Sequence, residues 1–149
     1  MPDERPRRPF EILLVEDNPA DARLVVEGLR MSTPRHRLRV VGDGREALAI
    51  LRRQSPHARA PRPDLIILDL GLLPLMGGLE VLSQVKSDPE LRRIPLVVLT
   101  ASEDEPDIQA GSGLHANCYI VKPLDTEEFS GRMETMGRVW FDTATLPPR

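Results

Sequence analysis

The sequence predicts an α/β domain with a doubly wound parallel sheet. Short apolar runs typical of buried parallel strands alternate with segments of helical periodicity, and the strand comes first in each pair. Polar residues directly follow four of the apolar runs. They are Glu16 and Asp17, Asp69, Thr100, and Lys122. Because the carboxyl ends of parallel strands meet at one edge of a sheet, we expect these side chains to lie together there.

The first half of the chain is expected to contribute three strands and two helices. Strands are predicted over residues 10–15, 38–41 and 64–68, and helices over residues 20–31 and 44–54. The strands are short and rich in Ile, Leu and Val, whereas apolar residues recur every three or four positions in the helices. Asp21 lies in the first turn of the first helix, where the helix dipole favours an acid.

The second half continues the alternation. Helices are predicted over residues 78–87, over 103–115 and from about 126, and strands over 94–99 and 116–121. The segment 103–115 is a poor helix because Pro106, Gly111 and Gly113 lower its propensity. The last helix carries an apolar stripe, namely Phe129, Met133, Met136 and Trp140. Five such units predict a flavodoxin-like (βα)5 fold with strand order 2-1-3-4-5.

This strand order makes the first and third strands neighbours, so Glu16 and Asp17 should meet Asp69. Three crowded carboxylates repel one another without a cation, and hard oxygen ligands are those that Mg²⁺ prefers. An aspartate carboxylate can attack phosphorus while a metal ion screens the charges. The Lys122 ammonium and the Thr100 hydroxyl suit the oxygens of a phosphoryl group. The pattern therefore predicts transfer of a phosphoryl group onto an aspartate.

These motifs resemble the receiver domain of response regulators, the phosphoacceptor module of two-component signalling. The resemblance covers roughly residues 10–138 and rests on several motifs at once. They are residues 15–18 (VEDN), 68–70 (LDL), 78–82 (GLEVL), 94–95 (IP), 100–101 (TA) and 119–123 (YIVKP). A set of this kind is far more specific than any one of its members.

The resemblance implies a role for each site residue. Asp69 would be the phosphorylated residue and Lys122 the family's invariant lysine. Mg²⁺ would be held by Asp69 and three further ligands, namely Glu16, Asp17 and the backbone carbonyl of Gly71. Thr100 would be the switch hydroxyl, and Tyr119 the aromatic residue that turns inward on activation. A sensor histidine kinase would supply the phosphoryl group.

A narrower likeness concerns the stand-alone receivers that partner phytochrome-type sensor histidine kinases. It rests on residues 115–120, on the Pro-rich insert 55–63 and on the ending 139–148. It implies a homodimer through the fourth helix, the fifth strand and the last helix, with the C-terminal extension taking part. The loop after Asp69 departs from the family, because Pro74 and Gly78 each lie one position further on than usual.

The overall composition sets limits on the function. A net charge of −3 favours neither a nucleic-acid nor a membrane partner, and we find no apolar run long enough for a membrane span. A single cysteine, Cys118, excludes an intrachain disulfide. We expect a cytoplasmic protein with a disordered tail (1–9), one domain (10–142) and a C-terminal extension (143–149), and with no DNA-binding or catalytic output domain.

Two other classes of function remain open at this stage. A haloacid-dehalogenase-like phosphohydrolase would also form an aspartyl phosphate, but it needs a second acid two residues after the nucleophile. The sequence has Gly71 at that position. A phosphorylation-independent interaction module on a receiver scaffold is favoured only by the longer loop after Asp69.

Overall fold

The computed structural model describes residues 9–32, 36–71, 77–101 and 118–143, with side chains as far as residue 140. Within these residues, five strands form one parallel sheet in the order β2-β1-β3-β4-β5, as predicted. The strands are β1 (Phe10–Val15), β2 (His36–Val41), β3 (Leu65–Asp69), β4 (Leu96–Thr100) and β5 (Cys118–Val121). The flavodoxin-like order is thereby confirmed.

Helices cover both faces of the sheet. They are α1 (Pro19–Ser32), α2 (Gly44–Leu51), α3 (Gly78–Ser87) and the C-terminal helix (Thr126–Thr143), and a 3₁₀ turn spans Leu91–Arg93. Alternate residues of the strands join two separate apolar clusters, since successive side chains point to opposite faces. One cluster packs against α2 and α3, and the other against α1 and the C-terminal helix. None of the described helices is both long and apolar enough to cross a membrane.

Several predicted boundaries differ from those observed. Helix α2 ends at Leu51 rather than at residue 54, because Arg53 adopts a left-handed backbone conformation with φ of 54°. Strands β3 and β4 each run one residue further than predicted, so Asp69 and Thr100 belong to the sheet itself. The predicted helix 103–115, the start of the fifth predicted strand, the tail 1–8 and nearly all of the C-terminal extension lie outside the described residues.

Helix α1 and the C-terminal helix pack closely because glycines lie at their contact. A Cβ added at Gly28 would meet the backbone oxygen of Ser130 and, at 2.6 Å, the Cβ of Met133. A Cβ added at Gly137 would meet the side chain of Ser32. The apolar stripe of the C-terminal helix lies at this same side, with Phe129 and Met133 fully buried. The two helices on this face of the sheet are therefore held against each other.

Candidate metal and phosphoacceptor site

The ends of β1 and β3 bring three carboxylates together. Glu16, Asp17 and Asp69 each offer an oxygen, and the three oxygens lie within 4.8 Å of one another. Glu16 and Asp69 are buried, whereas Asp17 is exposed. Oxygens of this kind and spacing fit a hard divalent cation with some of its water retained. The donor set therefore makes an acidic metal site.

Asp69 is held in place by the backbone around it. As the last residue of β3 it pairs with Leu99 of β4, and the Gly71 amide donates a hydrogen bond to its Oδ1 at 3.0 Å. Helix α3 begins directly beside it, at Gly78. A Cβ on Gly78 would meet the Asp69 carbonyl oxygen and lie 2.5 Å from the Leu70 Cα, so this helix start needs a glycine. The one-residue-longer loop, residues 72–76, lies outside the described residues.

Lys122 bridges the carboxylates from the end of β5. Its Nζ lies 2.8 Å from Glu16 Oε2, 2.9 Å from Asp21 Oδ2 and 3.2 Å from Asp69 Oδ2. Its backbone amide donates to the Thr100 carbonyl at 2.7 Å, which ties the lysine to β4. The ammonium has three N–H donors, and three carboxylates surround it.

Asp21 is the site residue that sequence reasoning missed. The sequence alone identifies it only as an acid in the first turn of α1. The signal that could have found it is its place in the first turn of α1, directly after the end of β1 that carries Glu16 and Asp17. Asn18 fixes this turn, because its Oδ1 accepts hydrogen bonds from the amides of Ala20 and Asp21.

The electrostatics follow from burial and charge. Burial, with the neighbouring Asp69 carboxylate, raises the pKa of Glu16 to about 7, although Lys122 acts in the opposite direction. Burial alone would lower the pKa of Lys122. Its hydrogen bonds to Glu16 and Asp21 and the charge of Asp69 outweigh this, so the pKa lies above its usual value. The ammonium is therefore charged at any physiological pH.

The two predicted switch residues lie on the neighbouring strands. Thr100 is buried at the end of β4, and its register partner is Val121. Tyr119 is half-buried on β5, against the cluster that packs on α2 and α3, and burial raises the pKa of its phenol. Its hydroxyl is buried with no hydrogen-bond partner among the described residues. Thr100 thus borders the site, while Tyr119 lies three residues before the bridging lysine.

Comparison with known proteins identifies the family. Residues 12–134 match the response regulator receiver domain. The chain belongs to the response regulator receiver family. It is therefore a phosphoacceptor protein rather than a classical enzyme, and the phosphohydrolase alternative is set aside.

Two similar proteins, Rcp1 and RcpA, place the chain within that family. It is 45% identical over 139 residues to response regulator Rcp1 of Synechocystis sp., covering 93% of this chain and 94% of the relative. The structure superposes with a TM-score of 0.87 on the phosphorylated cyanobacterial phytochrome response regulator RcpA, at 48% identity, covering 94% and 99% of the two chains. The Mn²⁺-bound form of Rcp1 also has a TM-score of 0.87, at 45% identity, covering 94% and 100%.

Proposed function

We propose that Asp69 accepts a phosphoryl group from the phosphohistidine of a sensor histidine kinase in the cytoplasm. The observation that carries this is Asp69 itself, a buried carboxylate inside the acidic cluster, with the Lys122 ammonium 3.2 Å from its Oδ2. In this transfer an oxygen of Asp69 forms a bond to phosphorus as the N–P bond of the phosphohistidine breaks. The imidazole then takes a proton from solvent, and the phosphoryl group remains on Asp69.

Each neighbouring residue has a part in that transfer. Glu16, Asp17, Asp69 and the Gly71 carbonyl would hold Mg²⁺, which neutralises charge on the transferred group. Lys122 offers its ammonium to a phosphoryl oxygen, and Thr100 offers its hydroxyl from the end of β4. Movement of Thr100 toward the phosphoryl group, together with Tyr119, would carry the change to the surface around β5.

The kinase is proposed to be of the phytochrome type. Support comes from the identity of 45–48% with Rcp1 and RcpA over nearly the whole of each chain. We further propose that the protein binds neither nucleic acid nor a membrane.

A homodimer is proposed through the predicted fourth helix (103–115), β5 and the C-terminal helix, with the C-terminal extension 143–149 taking part. In support, β5 and the C-terminal helix border an open, largely apolar groove of about 1030 Å³. Ile120, Met136, Val139 and Trp140 are among its lining residues, and Val139 is 62% exposed.

Incubation with acetyl phosphate tests the acceptor. Intact mass should show a gain of one phosphoryl group that needs Mg²⁺ and is lost in Asp69→Asn. Asp88→Asn is the matched control, since it makes the same change in a carboxylate beyond the far end of α3. No adduct on the wild-type chain would favour the phosphorylation-independent interaction module.

Two further measurements test the partners. Phosphotransfer should be faster from a phytochrome-type kinase than from an unrelated sensor kinase. For the dimer, light scattering of Val139→Glu should give a lower molar mass than that of wild type, and Met31→Glu should not. Met31 is the matched control because it is similarly exposed, at 69%, but lies on α1. Equal rates from both kinases, or an unchanged mass for Val139→Glu, would contradict the respective proposals.

A further inference from the structure

Asp21 differs from the two other carboxylates that Lys122 contacts. Glu16 and Asp69 belong to the acidic cluster that fits a cation, whereas Asp21 lies outside it. The Glu16 side chain is 0% exposed and that of Asp21 is 28% exposed. Asp21 therefore keeps part of its hydration, and its charge is available to the lysine without competing as a metal ligand.

Two of the three contacts of Lys122 involve groups that loading would engage. A cation at the cluster would use oxygens of Glu16 and Asp69, and a phosphoryl group would be attached to Asp69. Of the three carboxylates that Lys122 contacts, Asp21 is the one that takes no part in either event. Its own position is fixed by the Asn18 cap and by the first turn of α1.

We propose that Asp21 is a positioning residue that holds the Lys122 ammonium at the site in both the empty and the phosphorylated states. This inference rests on the proposed function, because the lysine is useful there only if Asp69 takes a phosphoryl group. A lysine side chain has four rotatable bonds and loses much freedom when it is held in one place. By holding the ammonium in advance, Asp21 lowers that entropic cost at the moment of transfer.

The sign of the effect separates positioning from simple electrostatics. Asp21 is an acid near an anionic ligand, so removing its charge would by Coulomb's law tighten the binding of a phosphoryl group. Loss of positioning would instead weaken the binding. The two explanations for any effect of Asp21→Asn therefore predict opposite results.

The test is a titration with beryllofluoride, an analogue of the phosphoryl group, in saturating Mg²⁺. We expect Asp21→Asn to weaken beryllofluoride binding about five- to tenfold, less than a buried charged hydrogen bond would give because Asp21 is partly solvated. Asp21→Glu, which keeps the carboxylate, should restore most of the affinity. Glu27→Gln is the matched control, since it removes one exposed acid from α1 away from the site.

A double variant shows whether Asp21 acts through Lys122. In a Lys122→Gln background, Asp21→Asn should not weaken beryllofluoride binding further. A metal-free readout is urea unfolding in EDTA, where Asp21→Asn should shift the midpoint less in the Lys122→Gln background than in wild type. That experiment requires no phosphoryl group.

The outcomes are distinct. Unchanged or tighter beryllofluoride binding by Asp21→Asn, or equal weakening with and without Lys122, would overturn the positioning role while leaving the proposed function intact. A wild-type chain that takes neither beryllofluoride nor an acetyl phosphate adduct would overturn the proposed function, and the positioning role with it.

Discussion

Strands β3 and β5 both end at the site, yet they differ greatly in burial. All five residues of β3 are buried, whereas β5 has one exposed and three half-buried residues. Strand β3 carries Asp69 and β5 leads into Lys122. The proposed acceptor therefore lies at the centre of the sheet, and its cationic partner reaches it from the edge.

This difference assigns different tasks to the two strands. A fully buried strand holds its end in one place because any shift would break apolar packing on both faces. An edge strand with fewer buried contacts belongs to the part of a fold that opens at low free energy. The central strand thus suits the proposed acceptor, which must stay in one place, and the edge strand suits a residue that we propose to change its contacts.

The largest expected effect comes from truncating matched isoleucines on the two strands. Ile67 of β3 is 0% exposed, so Ile67→Ala should lower the free energy of unfolding by about 4 kcal/mol. Ile120 of β5 is only partly buried, and Ile120→Ala should cost about 1–2 kcal/mol. Urea denaturation measures both. Equal losses would contradict the distinction between a rigid centre and a looser edge.

Two glycines extend the comparison to the helices beside these strands. Gly78→Ala forces a Cβ against backbone atoms of Asp69 and Leu70, and should cost about 2–3 kcal/mol. Gly131, in the C-terminal helix beside β5, has nothing within 4 Å of an added Cβ. Gly131→Ala should therefore stabilise the protein by about 0.5–1 kcal/mol.

Thermal unfolding of both glycine variants checks these signs. Gly78→Ala should also reduce labelling by acetyl phosphate, because the clash falls on the residue that carries the acceptor. Labelling of Gly131→Ala should equal that of wild type. The essential result is that the two variants change stability in opposite directions. A Gly78→Ala variant as stable as wild type would contradict the close contact of Gly78 with Asp69 and Leu70.

The pKa of Glu16 predicts a pH dependence of metal binding at the buried end of β1. Because this pKa is raised to about 7 without metal, a cation must displace a proton below that pH. The apparent affinity for Mg²⁺ should fall about tenfold for each pH unit below 7 and level off above it. Calorimetric titrations in buffers of different ionisation enthalpy would detect the released proton.

The same shift affects stability in the opposite direction. A carboxyl with a raised folded-state pKa contributes stability that is full below its unfolded pKa and is lost as the pH rises through about 7. Metal-free protein should therefore lose stability over that interval, and Glu16→Gln should abolish this part of the dependence. A flat profile in EDTA would contradict the raised pKa.

The smallest expected effect is that of Tyr119→Phe on the edge strand. The hydroxyl is buried with no hydrogen-bond partner among the described residues, so its removal should change the free energy of unfolding by less than about 0.5 kcal/mol. Since the chain has one tyrosine, alkaline absorbance reports its ionisation alone. The phenol should titrate above the usual range because burial raises its pKa. A larger loss of stability would reveal a partner for the hydroxyl.

Local sequence was enough to predict the sheet and most of the site. Each strand is marked by a short apolar run, and an acid, a hydroxyl or an ammonium follows at its end. These signals span only a few neighbouring residues, so they can be read without knowledge of the tertiary structure. The resulting strand order placed Glu16 and Asp17 beside Asp69. The predicted ends of α2 and of two strands were less accurate. Arg53 takes a left-handed backbone conformation that ends α2, and pairing with a neighbouring strand keeps Asp69 and Thr100 in the sheet.

The sequence by itself determined which residues reach the edge of the sheet, and only the tertiary structure decided how they share charge there. The Lys122–Asp21 contact joins residues 101 positions apart, which no local pattern specifies. Adjacent Glu16 and Asp17 look alike in the sequence, yet one is buried with a raised pKa and the other is exposed. Burial and through-space charge depend on all the surrounding elements, so these properties exist only once the strands and helices have packed.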